Sequence, residues 1–208
     1  MYGILNNNGD LIARFAAPMT LRSNQPVFVS DSLSLKRTAS RRPAQRWEIT
    51  TNLEPLSHSA NELMVALVDA GHTNPVKVRF PQNYGVHVKD AKVFTATYTP
   101  PASLQELLEL RGRAKITLRG ELPTGSFFQL AGQNKVYMLM EDLVARSTTT
   151  FSAKVFPPIN NVVGAPVGLV TGEDVIAEMV LDTESVIGMV YIDGILMDNG
   201  TLTLLEVL

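Results

Sequence analysis

The stretch Leu122–Pro158, LPTGSFFQLAGQNKVYMLMEDLVARSTTTFSAKVFPP, decides how the chain is read. It is a run of short strands with turn punctuation. Ser126–Leu130 is an apolar-rich run that stops at Ala131-Gly132. Gly132-Gln133-Asn134 predicts a tight hairpin. Beyond it Lys135–Met140 alternates, with Val136, Met138 and Met140 on one face and Lys135, Tyr137 and Leu139 on the other. Thr148–Phe156 is β-branched and aromatic, and Pro157-Pro158 ends it because proline has no N–H to give a ladder. Strands packed this densely along the chain bury a core of their own only by closing into a small barrel.

Working outward, Ala114–Leu118 alternates and opens this second module, and Leu104–Leu110 predicts one or two helical turns. Thr99-Pro100-Pro101 reads as a domain junction. Before it lie strands at Val76–Phe80 and Val93–Tyr98. Ser59–Gly71 is the best helix: Ser59 and Glu62 have capping-box spacing, and Gly71 suits the C′ position. Leu63, Ala66, Leu67 and Ala70 form its apolar stripe, which Met64 and Val68 widen. One such helix in a strand-rich chain packs most simply on a sheet. Arg46–Thr51 alternates around Trp47 and Ile49, as a strand half-buried through Trp47. Val27–Ser30 and Leu33–Leu35 are short strand candidates. Tyr2–Leu5 and Leu11–Phe15 flank Asn6-Asn7-Asn8-Gly9-Asp10 as a hairpin, either an ordinary edge hairpin or an added arm that clips a neighbour.

Downstream, Val162–Val170 is apolar and punctuated by Gly and Pro. Gly172–Leu181 reads as a strand with Val175, Ala177 and Met179 on one face. Val186–Ile192, Ile195–Met197 and Thr201–Val207 are the last strands, and Asp198-Asn199-Gly200 predicts a hairpin between two of them. The apolar, β-branched ending TLTLLEVL predicts a buried closing strand.

Of 208 residues, 45% are hydrophobic and only 18% charged, which suggests a surface partly covered by neighbours. The length allows one large or two small domains. There is no cysteine, hence no disulfide frame, thiolate nucleophile or cysteine metal site. MYGILNNNGD has no basic n-region or apolar h-region, so no secretory signal is expected. No run approaches the length of a membrane helix, and no membrane insertion is expected.

The net charge of −2 hides a split. Residues 1–100 carry eleven Lys+Arg against seven Asp+Glu, and residues 101–208 seven against thirteen. Such polarity suits head-to-tail self-association; the alternative is two solvated faces that never meet. The basic residues concentrate in Lys36–Arg46, KRTASRRPAQR: Lys36, Arg37, Arg41, Arg42 and Arg46. Ala39, Ser40, Pro43 and Ala44 argue for a loop or an extended hairpin. Three roles are open: a protruding inter-subunit contact, which we favour, then a solvated loop, then a contact to DNA phosphate. The pI near 5.9 and the lack of interleaved aromatics argue against a dedicated nucleic-acid module. Acidic residues concentrate at Glu173, Asp174, Glu178, Asp182 and Glu184.

No catalytic constellation, cofactor site or metal site is expected. His58, His72 and His87 form no HExxH or HxH arrangement, and no set of ligands converges in sequence. Nothing marks two of the late acids as a glycosidase pair, and a solvated acidic face explains them better. Asp182, Glu184, Asp193 and Asp198 do not match an EF-hand loop. A phosphate loop and a nucleophile elbow are also absent.

Three stretches carry a resemblance, in one order. GSFFQLAGQNKVYMLMEDL, followed by a strand ending FPPI, resembles the second module of distal tail and related baseplate-hub proteins of long-tailed bacteriophages. SNQPVFVSDSLSLKRTASRRPAQRWEITTNLEPL, Ser23–Leu56, resembles their N-terminal strand pair. GTLTLLEVL, Gly200–Leu208, resembles their closing strand. The likeness runs from about Leu21 and leaves residues 1–20 outside it.

The fold expected is mainly β. A β-sandwich of tail-tube-like type spans 1–98 and 185–208, with helix 59–71 packed outside it. A small β-barrel, 102–180, is inserted; that it is OB-like is implied by the resemblance alone. The resemblance implies a structural virion protein, not an enzyme. It would form a ring, usually hexameric, at the distal end of the tail tube. That ring joins the tail tube protein to the baseplate hub protein and to receptor-binding or tail-fibre proteins. Viral DNA passes through its lumen without specific binding. The protein would be made in the host cytoplasm and reside at the virion tail tip. The acidic residues would then face that lumen or a partner, since like charges do not hold a passing polyanion. The alternatives are a tail tube or tube-cap protein, which usually lacks the second barrel, and a host-surface carbohydrate-binding module. A cell-wall enzyme is the least supported, for want of a catalytic constellation.

Overall fold

The computed structural model describes residues 2–31, 37–41, 45–55, 60–82, 93–159, 164–183, 185, 190–192, 195–198 and 200–207. The chain is mainly β, with a closed barrel and a separate large sheet. It divides into two compact units, Met1–Tyr2 with Val78–Ala177 and Gly3–Lys77 with Glu178–Leu208. No helix among the described residues is long and apolar enough to cross a membrane.

The first elements are β1 (Gly3–Leu5), β2 (Leu11–Phe15), β3 (Thr20–Asn24), β4 (Val27–Asp31), β5 (Arg37–Arg41), β6 (Arg46–Pro55), α1 (Ala60–Ala70) and β7 (Val76–Arg79). Then come β8 (Val93–Thr99), α2 (Leu104–Leu110), β9 (Arg113–Leu122), β10 (Phe127–Leu130), β11 (Val136–Leu139), β12 (Leu143–Phe156) and β13 (Val167–Thr171). The chain ends with β14 (Ile176–Leu181), β15 (Val190–Ile192), β16 (Ile195–Asp198) and β17 (Thr201–Glu206).

The large sheet has the order β17-β14-β7-β1-β2-β6-β3, and β17 also pairs with β6, so the sheet returns on itself. β17 pairs antiparallel with Glu48–Asn52 of β6, and β3 pairs antiparallel with Arg46–Thr50. Two strands sharing one stretch of β6 must lie on its two edges. β2 pairs further along, from Ala13↔Pro55 to Phe15↔Leu53. Alternation explains the strand: Trp47, Ile49, Thr51 and Leu53 are buried while Arg46, Asn52 and Glu54 are exposed. The expected closing strand is β17, with Leu202, Leu204 and Glu206 all buried. Glu206 accepts a hydrogen bond from the Trp47 N–H at 3.1 Å, so this buried carboxylate has a partner across the closing seam.

Glycine is required at Gly3. Its φ is +156°, and an added Cβ would run into the Ala13 carbonyl of the paired strand. β1 and β2 are inner strands of the sheet. The opening hairpin is therefore neither an edge nor a free arm, which fits the burial of Ile4, Leu5, Ile12 and Ala13.

α1 buries Leu63, Leu67 and Ala70, with Ala66 half-buried. Met64 and Val68 do not widen that stripe: they are 40% and 63% exposed, beside Val65 at 67%. Gly71 takes φ +48° and donates to Leu67 O, while Asn74 Nδ2 caps Asp69 O. The expected N-cap Ser59 lies outside the described residues.

The barrel closes in the order β10-β11-β12-β9-β8-β13, every pairing antiparallel. β9 alternates along its length, burying Ala114, Ile116, Leu118 and Leu122 and leaving Arg119 and Glu121 exposed. Phe128 and Tyr137 are cross-strand partners whose rings stack at 5.7 Å. Such a pair adds about 0.5–1.5 kcal/mol beyond its burial. Val93–Tyr98, assigned from sequence to the first domain, is a barrel strand paired with β9 and β13. Thr99 thus ends β8, and Pro100-Pro101 lie between β8 and α2 inside one unit rather than at a domain junction. Alternation marks a strand's buried face but not its partner. Among the described residues β16 pairs with β15, and β17 with β14 and β6; Asn199 of the expected Asp198-Asn199-Gly200 hairpin lies outside them.

Two buried glutamines serve backbone groups as an extra strand would. Gln82 Oε1 accepts from Phe127 N–H at 3.2 Å, and its Nε2 donates to Phe127 O at 3.3 Å and Gly172 O at 3.0 Å. Gln129 Oε1 accepts from Ile176 N–H at 3.0 Å, and its Nε2 donates to Ile176 O at 2.8 Å and Asn134 O at 2.9 Å. A primary amide carries the same donor and acceptor pair as a peptide, so each side chain completes a ladder.

α2 has no buried residue; Leu104 and Leu108 are 68% and 76% exposed. It is held by its first turn. Ser103 Oγ accepts from Glu106 N–H, and Glu106 accepts from Ala102 N–H at 2.7 Å and from the Lys115 ammonium. The Lys115 hydrogen bond, then the Ala102 N–H, hold the Glu106 carboxyl below its usual 4.5.

Gln129→Leu is expected to cost about 2–4 kcal/mol, since it strips partners from both backbone groups of Ile176; a urea-unfolding midpoint unchanged from wild type would refute the clasp. Because the folded pKa of Glu106 is depressed, its contribution is complete above the ordinary carboxylate value and is lost as pH falls through the lower folded one. The Cα chemical shifts of α2 should therefore stay helical from neutral pH into the carboxylate range and relax only in stronger acid, with Glu106→Gln removing that dependence.

Candidate functional site

The basic segment lies on a two-stranded arm. β3 pairs with β6 from Thr20↔Thr50 to Asn24↔Arg46, and the ladder resumes in β4 and β5 from Val27↔Arg41 to Asp31↔Arg37. The two ladders follow one another in sequence, with Gln25 and Pro26 between β3 and β4; residues 42–44 lie outside the described residues. Pro26 has no N–H to donate, which breaks the ladder there. Val27-Phe28-Val29 then favours extended backbone. At about 3.3 Å per residue the arm reaches up to about 23 Å past Asn24. β4 and β5 form a sheet of their own, with no third strand among the described residues.

Of the basic residues singled out from sequence, Arg37 and Arg41 begin and end β5, and Arg46 is exposed at the base of the arm. Lys36 and Arg42 lie outside the described residues.

No protein-family model and no curated protein matches this chain.

The acidic residues do not form one constellation. Glu173 and Asp174 are exposed on the short 3-10 turn Gly172–Asp174 of the barrel unit. Glu178 is half-buried on β14, in the other unit. Asp182 is a turn former: its carboxylate accepts from Thr183 N–H at 2.8 Å and its carbonyl from Ser185 N–H at 2.9 Å. Ser185 Oγ in turn accepts from Thr203 N–H at 2.9 Å and donates to Thr203 O, fastening the turn to β17. Glu184 lies outside the described residues, as do His58 and His87; His72 is exposed after α1. Among the described residues no three His, Cys, Asp or Glu side chains are grouped to hold a metal ion.

Sequence reasoning missed a groove of about 650 Å³ in the large-sheet unit. Its walls are the Asn6–Asn8 turn, the α1 residues Asn61, Glu62, Val65 and Asp69, and Pro75, Lys77 and Glu178. Asn6 builds one rim. Its Oδ1 accepts from Asn8 N–H at 3.0 Å and Asp10 N–H at 2.9 Å, and its Nδ2 donates to Glu62 at 3.3 Å. One signal was legible: Glu62, Val65 and Asp69 recur at i, i+3 and i+7 on one helix face. The rest comes from three distant stretches of chain.

Asn6→Ala removes the acceptor that organises the turn and should lower stability by about 1 kcal/mol, whereas Asn6→Asp, which keeps the acceptor, should lose less. Equal thermal midpoints for the two variants would contradict this role.

Proposed function

We propose that the chain is a structural protein of a long-tailed bacteriophage, forming a ring at the distal end of the tail tube. The observation that carries this reading is the two-stranded arm, which places Arg37 and Arg41 on a hairpin that follows the β3–β6 ladder in sequence. An arm of this kind has a use where copies must reach one another. The closed barrel inserted between strands of the large sheet supports a distal ring over a tail tube or tube-cap protein, since those usually lack a second barrel.

In this role the chain does no chemistry. It makes a ring, hexameric in the family it resembles, that joins the tail tube protein to the baseplate hub protein and to receptor-binding or tail-fibre proteins. Viral DNA crosses the lumen without being bound. Glu173 and Asp174, exposed on their turn, suit a surface that a polyanion passes. The protein belongs at the virion tail tip.

Light scattering on the purified chain tests the reading. A mass of several copies at low salt, falling as salt screens the contact, is expected. Arg41→Glu with Arg42→Glu should shift the protein to monomer at physiological salt. A wild-type monomer at every concentration and in both salts counts against the ring.

A further inference from the structure

The arm and the groove lie at opposite ends of one sheet. β6 starts at Arg46, paired with Asn24 at the base of the arm, and ends at Pro55, paired with Ala13. β2 begins at Leu11, directly after the Asn6–Asp10 turn that forms the groove's rim. The rim therefore sits past the Pro55 end. The length of β6, about 30 Å at about 3.3 Å per residue, separates the two. The arm follows β3 after Asn24, at the end of β6 remote from the rim.

The two are complementary in charge. Glu62, Asp69 and Glu178 against Lys77 make the groove acidic, and Val65 gives it an apolar side. The arm carries Arg37 and Arg41 on β5, flanked in sequence by Lys36 and Arg42.

We propose that the groove beside α1 receives the basic hairpin arm of a second copy of this chain. Arm and groove at opposite ends make the contact heterologous, each copy giving with one end and receiving with the other. Such contacts close into a ring when the rotation permits. The proposal rests on the ring reading and gives it a specific joint.

The chain has no cysteine, so engineered thiols report the contact cleanly. A Ser40→Cys chain, labelled on the arm, is mixed with a Val65→Cys chain, labelled at the groove, and oxidised mildly. The mixed disulfide dimer is expected well above the yield with a Val144→Cys chain, whose thiol is exposed on the barrel. Adding Arg37→Glu and Arg41→Glu to the arm chain should lower that yield about tenfold or more. Adding Glu62→Arg and Asp69→Arg to the groove chain should restore it. A yield no higher than the barrel control, or indifferent to charge reversal, overturns the joint. Light scattering on the same variants separates the two claims. If the reversed chains still assemble, the ring stands and this joint falls; if the wild type does not assemble and the Ser40→Cys and Val65→Cys chains do not cross-link, both fall.

Discussion

β6 is hydrogen-bonded along both edges, to β17 on one side and to β3 and then β2 on the other. A strand held on both edges cannot slip, because a one-residue shift would turn Trp47, Ile49, Thr51 and Leu53 out of the core. Much else follows from that fixed register. It sets where β17 closes the sheet, where Glu206 meets the Trp47 N–H, and the direction in which β3 leaves to become the arm. It also places the two ends of the unit, arm base and groove rim, at the two ends of one strand.

Elsewhere the fold depends on polar side chains working as backbone. Gln82 and Gln129 each satisfy a donor and an acceptor of one residue. Ser185 does the same for Thr203 with a single hydroxyl. Strand ladders must end somewhere, and a buried end leaves groups that cost more unsatisfied than a neutral hydrogen bond contributes. Side chains that complete the last rung let strands of unequal length share one core.

Much of this was legible in the sequence, for reasons that differ by element. The barrel strands could be read because their alternation is strong, as in Ala114–Leu118, and because Gly132 and Pro157 punctuate them. The arm could be read because charge and proline report linearly. β3 could not: Thr20–Asn24 is almost wholly exposed, so it has no periodicity and is a strand only through its pairing with β6. The neighbours of Val93–Tyr98 were invisible because a hydrophobic pattern specifies a face and not a partner. Met64 and Val68 misled because the sheet meets only a narrow strip of α1. The groove was hidden because its walls come from residues far apart in the chain, whose meeting is a product of the fold.

A two-stranded ladder is also a template on which another extended segment can add itself, and the same arm on another copy is such a segment. Like charges set directly opposite each other across a ladder are destabilising, and edge lysines and arginines are a common guard against indiscriminate pairing. The cations of Lys36–Arg46 therefore make each arm repellent to its own kind while leaving it attractive to an acidic surface.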